Sequence, residues 1–194
     1  MILGNLAAIV QSSVRRLLAY SAIAHAGYML LAILTRSNAS LAALIYYAVT
    51  YGLTTIGAFG VVAVVQRATG SDQMSSFAGL SRRAPVVSFC MLVFMLSLAG
   101  IPPLAGFLGK FLIFTAALDT GAPKLGLLWL VVLAIAMSAV SLYYYLQVLK
   151  QIYAADPREA DFDQVPVFTQ IVLALLAALV VLLGCAPSLI LNLL

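Results

Sequence analysis

Charge is the scarcest property of this sequence. Only 8% of its 194 residues are charged, against roughly 25% in an ordinary globular domain. With 64% hydrophobic residues and a mean hydropathy of +1.13, no water-soluble surface can be assembled from the chain, which is expected to be an all-α integral membrane protein in contact with the lipid bilayer. The net charge of +4 belongs mostly to short loops, so no nucleic-acid partner is expected. The two cysteines lie apart, Cys90 in an apolar segment and Cys185 just after Gly184, and suggest neither a metal site nor a disulfide framework. Residues 1–10 are apolar but too short to cross a bilayer. They have no basic leader and no small-residue cleavage site, which argues against a signal peptide. They read as a helix stump, the last turns of a helix whose beginning is absent, so the expectation is a fragment or a product starting at an internal methionine.

Long apolar runs are abundant. A spanning helix needs about 20 apolar residues, and five stretches qualify: 17–34, 40–65, 85–117, 125–153 and 167–183, within one transmembrane domain covering 1–194. Arg15, Arg16, Arg67, Arg82, Arg83, Lys150 and Arg158 fall on one side, Arg36 and Lys124 on the other, and Lys110 inside. The positive-inside rule then makes the Arg15 side cytoplasmic, ends the N-terminal stump there and puts the C-terminus outside. All six acidic residues sit outside the spans: Asp119 at the outer end of the third, the others in the 66–84 and 156–164 loops. No carboxylate is available at mid-membrane.

The third span is too long for one straight helix. Its extent would be about 50 Å, against a hydrocarbon core of about 30 Å. Gly100, Pro102 and Pro103 supply a break, because consecutive prolines remove two amide donors and leave carbonyls of the previous turn unbonded. Irregular backbone at that depth is tolerated only inside protein or against a wet cavity, so the span is expected in the interior and discontinuous at 100–103. A proline kink without further role is the plain alternative.

Just beyond the break stands Lys110. A charge at the bilayer centre costs about 2.5–3.5 kcal/mol on insertion scales and usually has a job. Counted at 1.5 Å per residue, Lys110 lies about 13 Å from the outer surface, His25 about 12 Å from the cytoplasmic end of its helix, and Tyr51 and Ser138 about 16 and 19 Å into theirs. They share one layer. Stripes continue it on each helix: Ser21, His25 and Tyr28; Tyr47, Tyr51, Thr54 and Thr55; Ser138, Ser141 and Tyr145. The 171–183 stretch offers nothing polar and reads as a lipid-facing or packing element. In a low-dielectric interior, modest changes in nearby charge or hydration add or remove a lysine's proton. Histidine can relay one, and hydroxyls can orient water. The expected assignments are Lys110 as proton carrier, His25 as relay, and Tyr51 and Ser138 as hydroxyl or water relays. Interhelical hydrogen bonding alone is the bland reading of the hydroxyl stripes.

Five segments bear a family resemblance: Gly4-Asn-Leu-Ala-Ala-Ile-Val-Gln11, Arg15-Arg-Leu-Leu-Ala-Tyr-Ser-Ala-Ile-Ala-His-Ala-Gly-Tyr28, Gly57-Ala-Phe-Gly60, Leu96-Ser-Leu-Ala-Gly-Ile-Pro-Pro-Leu-Ala-Gly-Phe-Leu-Gly-Lys-Phe111 and Leu142-Tyr-Tyr-Tyr-Leu-Gln147. Over essentially the whole chain they resemble the C-terminal part of subunit N of bacterial NADH-quinone oxidoreductase, respiratory complex I, from the end of helix nine to helix fourteen. The two long motifs are specific and the short ones weak alone. The resemblance implies the second inverted repeat of an antiporter-like fold in the bacterial inner membrane. It makes Lys110 the lysine of the broken twelfth helix, serving the outward half-channel, and His25 the helix-ten histidine on a central hydrophilic axis. It implies other membrane-arm subunits as partners and protons and water as cargo. No cofactor is expected on this chain, with NADH, FMN, iron–sulfur clusters and quinone handled elsewhere in the complex. Two departures stand out. Arg15 occupies a position that is commonly Lys in the family, and the family's glutamate and lysine of helices five and seven have no counterpart here. A subunit of a multisubunit cation/proton antiporter, or a non-catalytic membrane scaffold from a truncated gene, are the alternatives.

Overall fold

The computed structural model describes residues 1–35, 37–118, 127–156 and 165–192. Arg36, Asp119, Lys124 and Arg158, each placed on a membrane side from the sequence, lie outside the described residues, as does most of the 156–164 loop. Nine α-helices follow one another among the described residues: α1 (Ile2–Ile9), α2 (Val14–Thr35), α3 (Asn38–Thr69), α4 (Leu80–Arg83), α5 (Pro85–Ala99), α6 (Ala105–Leu118), α7 (Leu128–Ala154), α8 (Val167–Cys185) and α9 (Ser188–Leu191). There are no strands among these residues, only an isolated bridge between Ser13 and Gln73. Four helices, α2, α3, α7 and α8, are each long and apolar enough to cross a membrane. The third expected span is divided into α5 and α6, two half-length apolar helices.

Local chemistry explains the boundaries. Ser37 and Ser40 form a reciprocal capping box at the start of α3, each side chain accepting from the other's amide. Gly70, at φ 73°, ends that helix in the left-handed conformation a glycine tolerates. Pro85 opens α5 at a position where a missing amide costs nothing. At the other end of α5, Gly100 adopts φ 86°, its amide donates to Ser97 O, and the Ile101 amide reaches back to Leu96 O at 3.0 Å. These two bonds make a complete Schellman stop. The Pro102–Pro103 peptide that follows is cis.

Packing puts the broken helix pair in the interior. α3 lies against α2, α5, α6 and α8, while α5 also meets α7 and α8. The end of α8 seals the irregular backbone of the break: a Cβ on Gly184 would collide with the Pro103 carbonyl and the Ala105 amide, and Tyr46 donates to Leu183 O at 2.8 Å. One face of α8, Leu173, Ala177, Val180 and Leu183, is buried, while Phe168, Ile171, Leu175 and Leu182 are exposed. The apolar 171–183 stretch of this helix thus packs with one face and exposes the other. At the opposite end of the bundle the 70–79 loop is strapped to its neighbours. Val14 N donates to Asp72 O, Met74 N to Ser12 O, and Gly79 N to Gln151 O, so the ends of α2, α3 and α7 are held together. Six of the basic residues assigned to one membrane side, all but Arg158, sit in and around this strap.

Candidate functional site

Lys110 projects from the second turn of α6 and is only 4% exposed. Its Nζ donates to Leu98 O at 2.8 Å, Ala99 O at 3.2 Å and Ser138 Oγ at 2.9 Å. The identity of the two carbonyls is the informative point. In a continuous helix Leu98 O would accept from residue 102 and Ala99 O from residue 103, but both are prolines and have no amide hydrogen. The break therefore makes two acceptors, and the lysine two turns later occupies both. The ammonium also sits at the C-terminal, negative end of the α5 dipole. A buried cation is thus held by backbone dipoles and one hydroxyl, with no carboxylate among the described residues in contact with it.

The two half-helices are locked by close approach. Ser97 Oγ accepts from Gly106 N at 3.2 Å, so a side chain of α5 caps the first turn of α6. Gly106 permits this, because a Cβ there would run into the Ser97 carbonyl. Thr54 of α3 meets the same hydroxyl at 3.5 Å. A cavity of about 340 Å³ lies beside Lys110, walled by Phe107, Phe111, Phe114, Ile135 and Leu142.

His25, 2% exposed on α2, heads a second group. Its Nδ1 pairs with the Tyr47 hydroxyl at 2.6 Å and its Nε2 with the Tyr145 hydroxyl at 3.1 Å. Either tautomer satisfies both, since each phenol can donate or accept. The Tyr145 hydroxyl is also hydrogen-bonded to the Ser21 hydroxyl. The Tyr51 ring stacks on the imidazole, with centroids 4.6 Å apart. Next to it, Tyr144 donates to Asn5 Oδ1 at 2.9 Å, and Asn5 in turn donates to Met1 O at 3.1 Å. Asn5 is wholly buried, so α1 also contributes to the layer.

The four residues picked out from the sequence come together in two pairs, Lys110 with Ser138 and His25 with Tyr51, the lysine and histidine buried and Ser138 and Tyr51 half-buried. Tyr51 meets the histidine through its ring; the hydroxyls on the imidazole come from Tyr47 and Tyr145. Sequence reasoning placed both tyrosines on polar stripes without singling them out, and it gave Asn5 no role. A lone amide in an otherwise apolar stump was the available signal for Asn5. Of the three partners of Nζ, Ser138 was legible in the sequence, whereas the two backbone carbonyls leave no residue type to read. Among the described residues, no three His, Cys, Asp or Glu side chains come together as a metal site.

Known proteins match this chain in sequence and in fold. Residues 1–150 match the family described as NADH:quinone oxidoreductase/Mrp antiporter, TM. The chain is 57% identical over 194 residues to NADH-quinone oxidoreductase subunit N 2 of Acidobacterium capsulatum, covering 99% of this chain and 39% of that protein. It is 48% identical to subunit N 1 of Roseiflexus castenholzii, over 97% of this chain and 35% of that one. It therefore spans well under half the length of these curated relatives. Among solved structures, a chain of respiratory complex I from Thermus thermophilus with bound aureothin superposes with a TM-score of 0.83 at 43% identity, covering 98% of this chain and 42% of that chain. A chain of the Mrp complex from Dietzia sp. DQ12-45-1b gives a TM-score of 0.90 at 20% identity, over 99% of this chain and 43% of that chain, a likeness of fold alone. With its broken interior helix, its buried lysine and a family match over three-quarters of its length, this multi-pass membrane chain belongs to the NADH:quinone oxidoreductase/Mrp antiporter transmembrane family.

Proposed function

We propose that this chain forms part of a proton-translocating membrane subunit of an NADH-quinone oxidoreductase, in which electron transfer from NADH to quinone drives protons across the bacterial inner membrane. The observation that supports this best is the held but uncompensated cation. Lys110 is buried, bonded to two carbonyls and one hydroxyl, and has no anion among the described residues. Carbonyls solvate an ammonium, yet their binding to it is weaker than that of a buried carboxylate, so the proton can leave when nearby charge changes. In this reading Lys110 carries the proton and Ser138 orients it. His25 relays through Tyr47 and Tyr145, and Tyr51 steadies the imidazole.

The remaining assignments follow from the same reading. Flavin, iron–sulfur clusters, NADH and quinone are handled by other subunits, and this chain performs no redox step. Its neighbours are the other membrane-arm subunits of the complex. The strapped end that gathers Arg15, Arg16, Arg67, Arg82, Arg83 and Lys150 faces the cytoplasm, which puts the end of α8 outside. The cation/proton antiporter reading shares the fold, but the identities of 57% and 48% to subunit N proteins favour the oxidoreductase.

The test is Lys110→Ala in the assembled complex, reconstituted in liposomes. General acid–base groups contribute about 100-fold or more, and NADH-driven proton uptake is expected to fall by at least that much. Undiminished pumping by this variant would overturn the reading.

A further inference from the structure

The Tyr28 side chain touches both the Lys110 group and the His25 group. Tyr28, fully buried on α2, lies edge-on to the His25 ring at 5.7 Å, while its face is turned to Lys110, with Nζ 5.4 Å from the ring centroid. Phe114 of α6 backs it in a T-shaped contact at 6.1 Å. The ring also belongs to the apolar cluster of Leu31, Ala32, Ala43, Ile113 and Ala117, which fixes it from the outer side. Its hydroxyl is buried and lies beside the Asn5 side chain.

Two features of this position matter together. A buried tyrosine hydroxyl normally has a polar neighbour, and here that neighbour is Asn5, which also holds Tyr144 beside the His25 group. An aromatic face against an ammonium also stabilises the charged lysine where it stands. We propose that Tyr28 is the barrier between the two polar groups. Its ring blocks direct proton exchange between Lys110 and His25, and its hydroxyl, beside Asn5 and Tyr144, supplies a polar contact for water when the ring swings aside. This rests on the proton-translocating reading above. Tyr28 is a positioning residue and exchanges no proton itself. A barrier is what separates a pump from a leak: without one, protons brought to the layer from one side run through to the other.

The experiment compares Tyr28→Ala, Tyr28→Leu and Tyr28→Phe in the assembled complex in liposomes. Passive proton leak and NADH-driven pumping are both followed with an internal pH dye, and Lys110→Ala serves as the control. Tyr28→Ala is expected to raise passive leak several-fold and lower the protons pumped per NADH while NADH oxidation continues. Tyr28→Phe, which keeps the ring, is expected to leave the leak at the level of the unaltered complex, with turnover down about fivefold for the loss of one hydroxyl contact. If Tyr28→Ala does not assemble, Tyr28→Leu replaces it, a smaller and flexible side chain in the same apolar setting. An assembled Ala or Leu variant with unchanged leak would sink the proposal, as would a Phe variant that leaks as much as Ala. Full pumping by Lys110→Ala would instead refute the proton-translocating reading itself.

Discussion

The Lys110 pocket and the His25 cluster occupy the same layer of the molecule but are built from opposite materials. Around Lys110 the chain offers backbone: two carbonyls released by a proline pair, with one serine hydroxyl. Around His25 it offers side chains: two phenols on the ring nitrogens, a third stacked on its face, and a serine beyond. Backbone carbonyls only accept, so the first site is suited to a cation. Phenols donate and accept alike, so the second site is suited to a group that changes its proton without moving. One is a place to keep a charge and the other a place to pass it on.

The largest effect that separates the two, after loss of Lys110 itself, is expected from His25→Ala. It leaves the Tyr47 and Tyr145 hydroxyls without their shared partner, and two hydrogen bonds at about 1 kcal/mol each amount to roughly a 30-fold loss of pumping. Proton uptake into liposomes measures it, and pumping at the unaltered rate would remove the cluster from the path and end the comparison. A smaller effect is expected from the double replacement Pro102→Ala and Pro103→Ala. The two new amides can bond Leu98 O and Ala99 O and compete with Nζ, for a loss of about tenfold with the histidine side untouched. If a structure of that variant kept Nζ on both carbonyls, the prolines would not be what frees them. The smallest change is expected for Tyr51→Phe. The ring contact on the imidazole survives, so pumping is expected to change by less than about twofold. A larger drop would mean that the Tyr51 hydroxyl is itself in the path, which would make it a relay of the kind its stripe suggested.

Much of this architecture could be read from the residues. The break at 100–103 followed from length and proline chemistry, and the structure has α5 ending at Ala99 and α6 starting at Ala105. Ser138 was placed by depth counting alone, and it touches Nζ. The histidine's partners were harder to read. Tyr143, Tyr144 and Tyr145 are the same residue type in succession, yet Tyr143 is 55% exposed and pairs with Gln147, Tyr144 bonds Asn5, and Tyr145 bonds His25. Which of three neighbouring tyrosines reaches the histidine depends on the rotation of α7 against α2, and that angle is set by packing across the whole bundle. Tyr47 and Tyr51 posed the same ambiguity one turn apart on α3. Depth is a property of one helix and can be counted, whereas azimuth belongs to the pair of helices in contact.

The way Lys110 is held has a consequence for how this protein can change over generations. A cation paired with an aspartate can lose its counter-charge through a single codon change at the aspartate. Here two of the three attracting oxygens belong to peptide groups, which every amino acid has, so no replacement at Leu98 or Ala99 deletes them. The anchoring is sheltered from most mutations at the positions that provide it. Its vulnerable codons are those of Ser138 and of the neighbouring prolines, which matter for the hydrogen they lack.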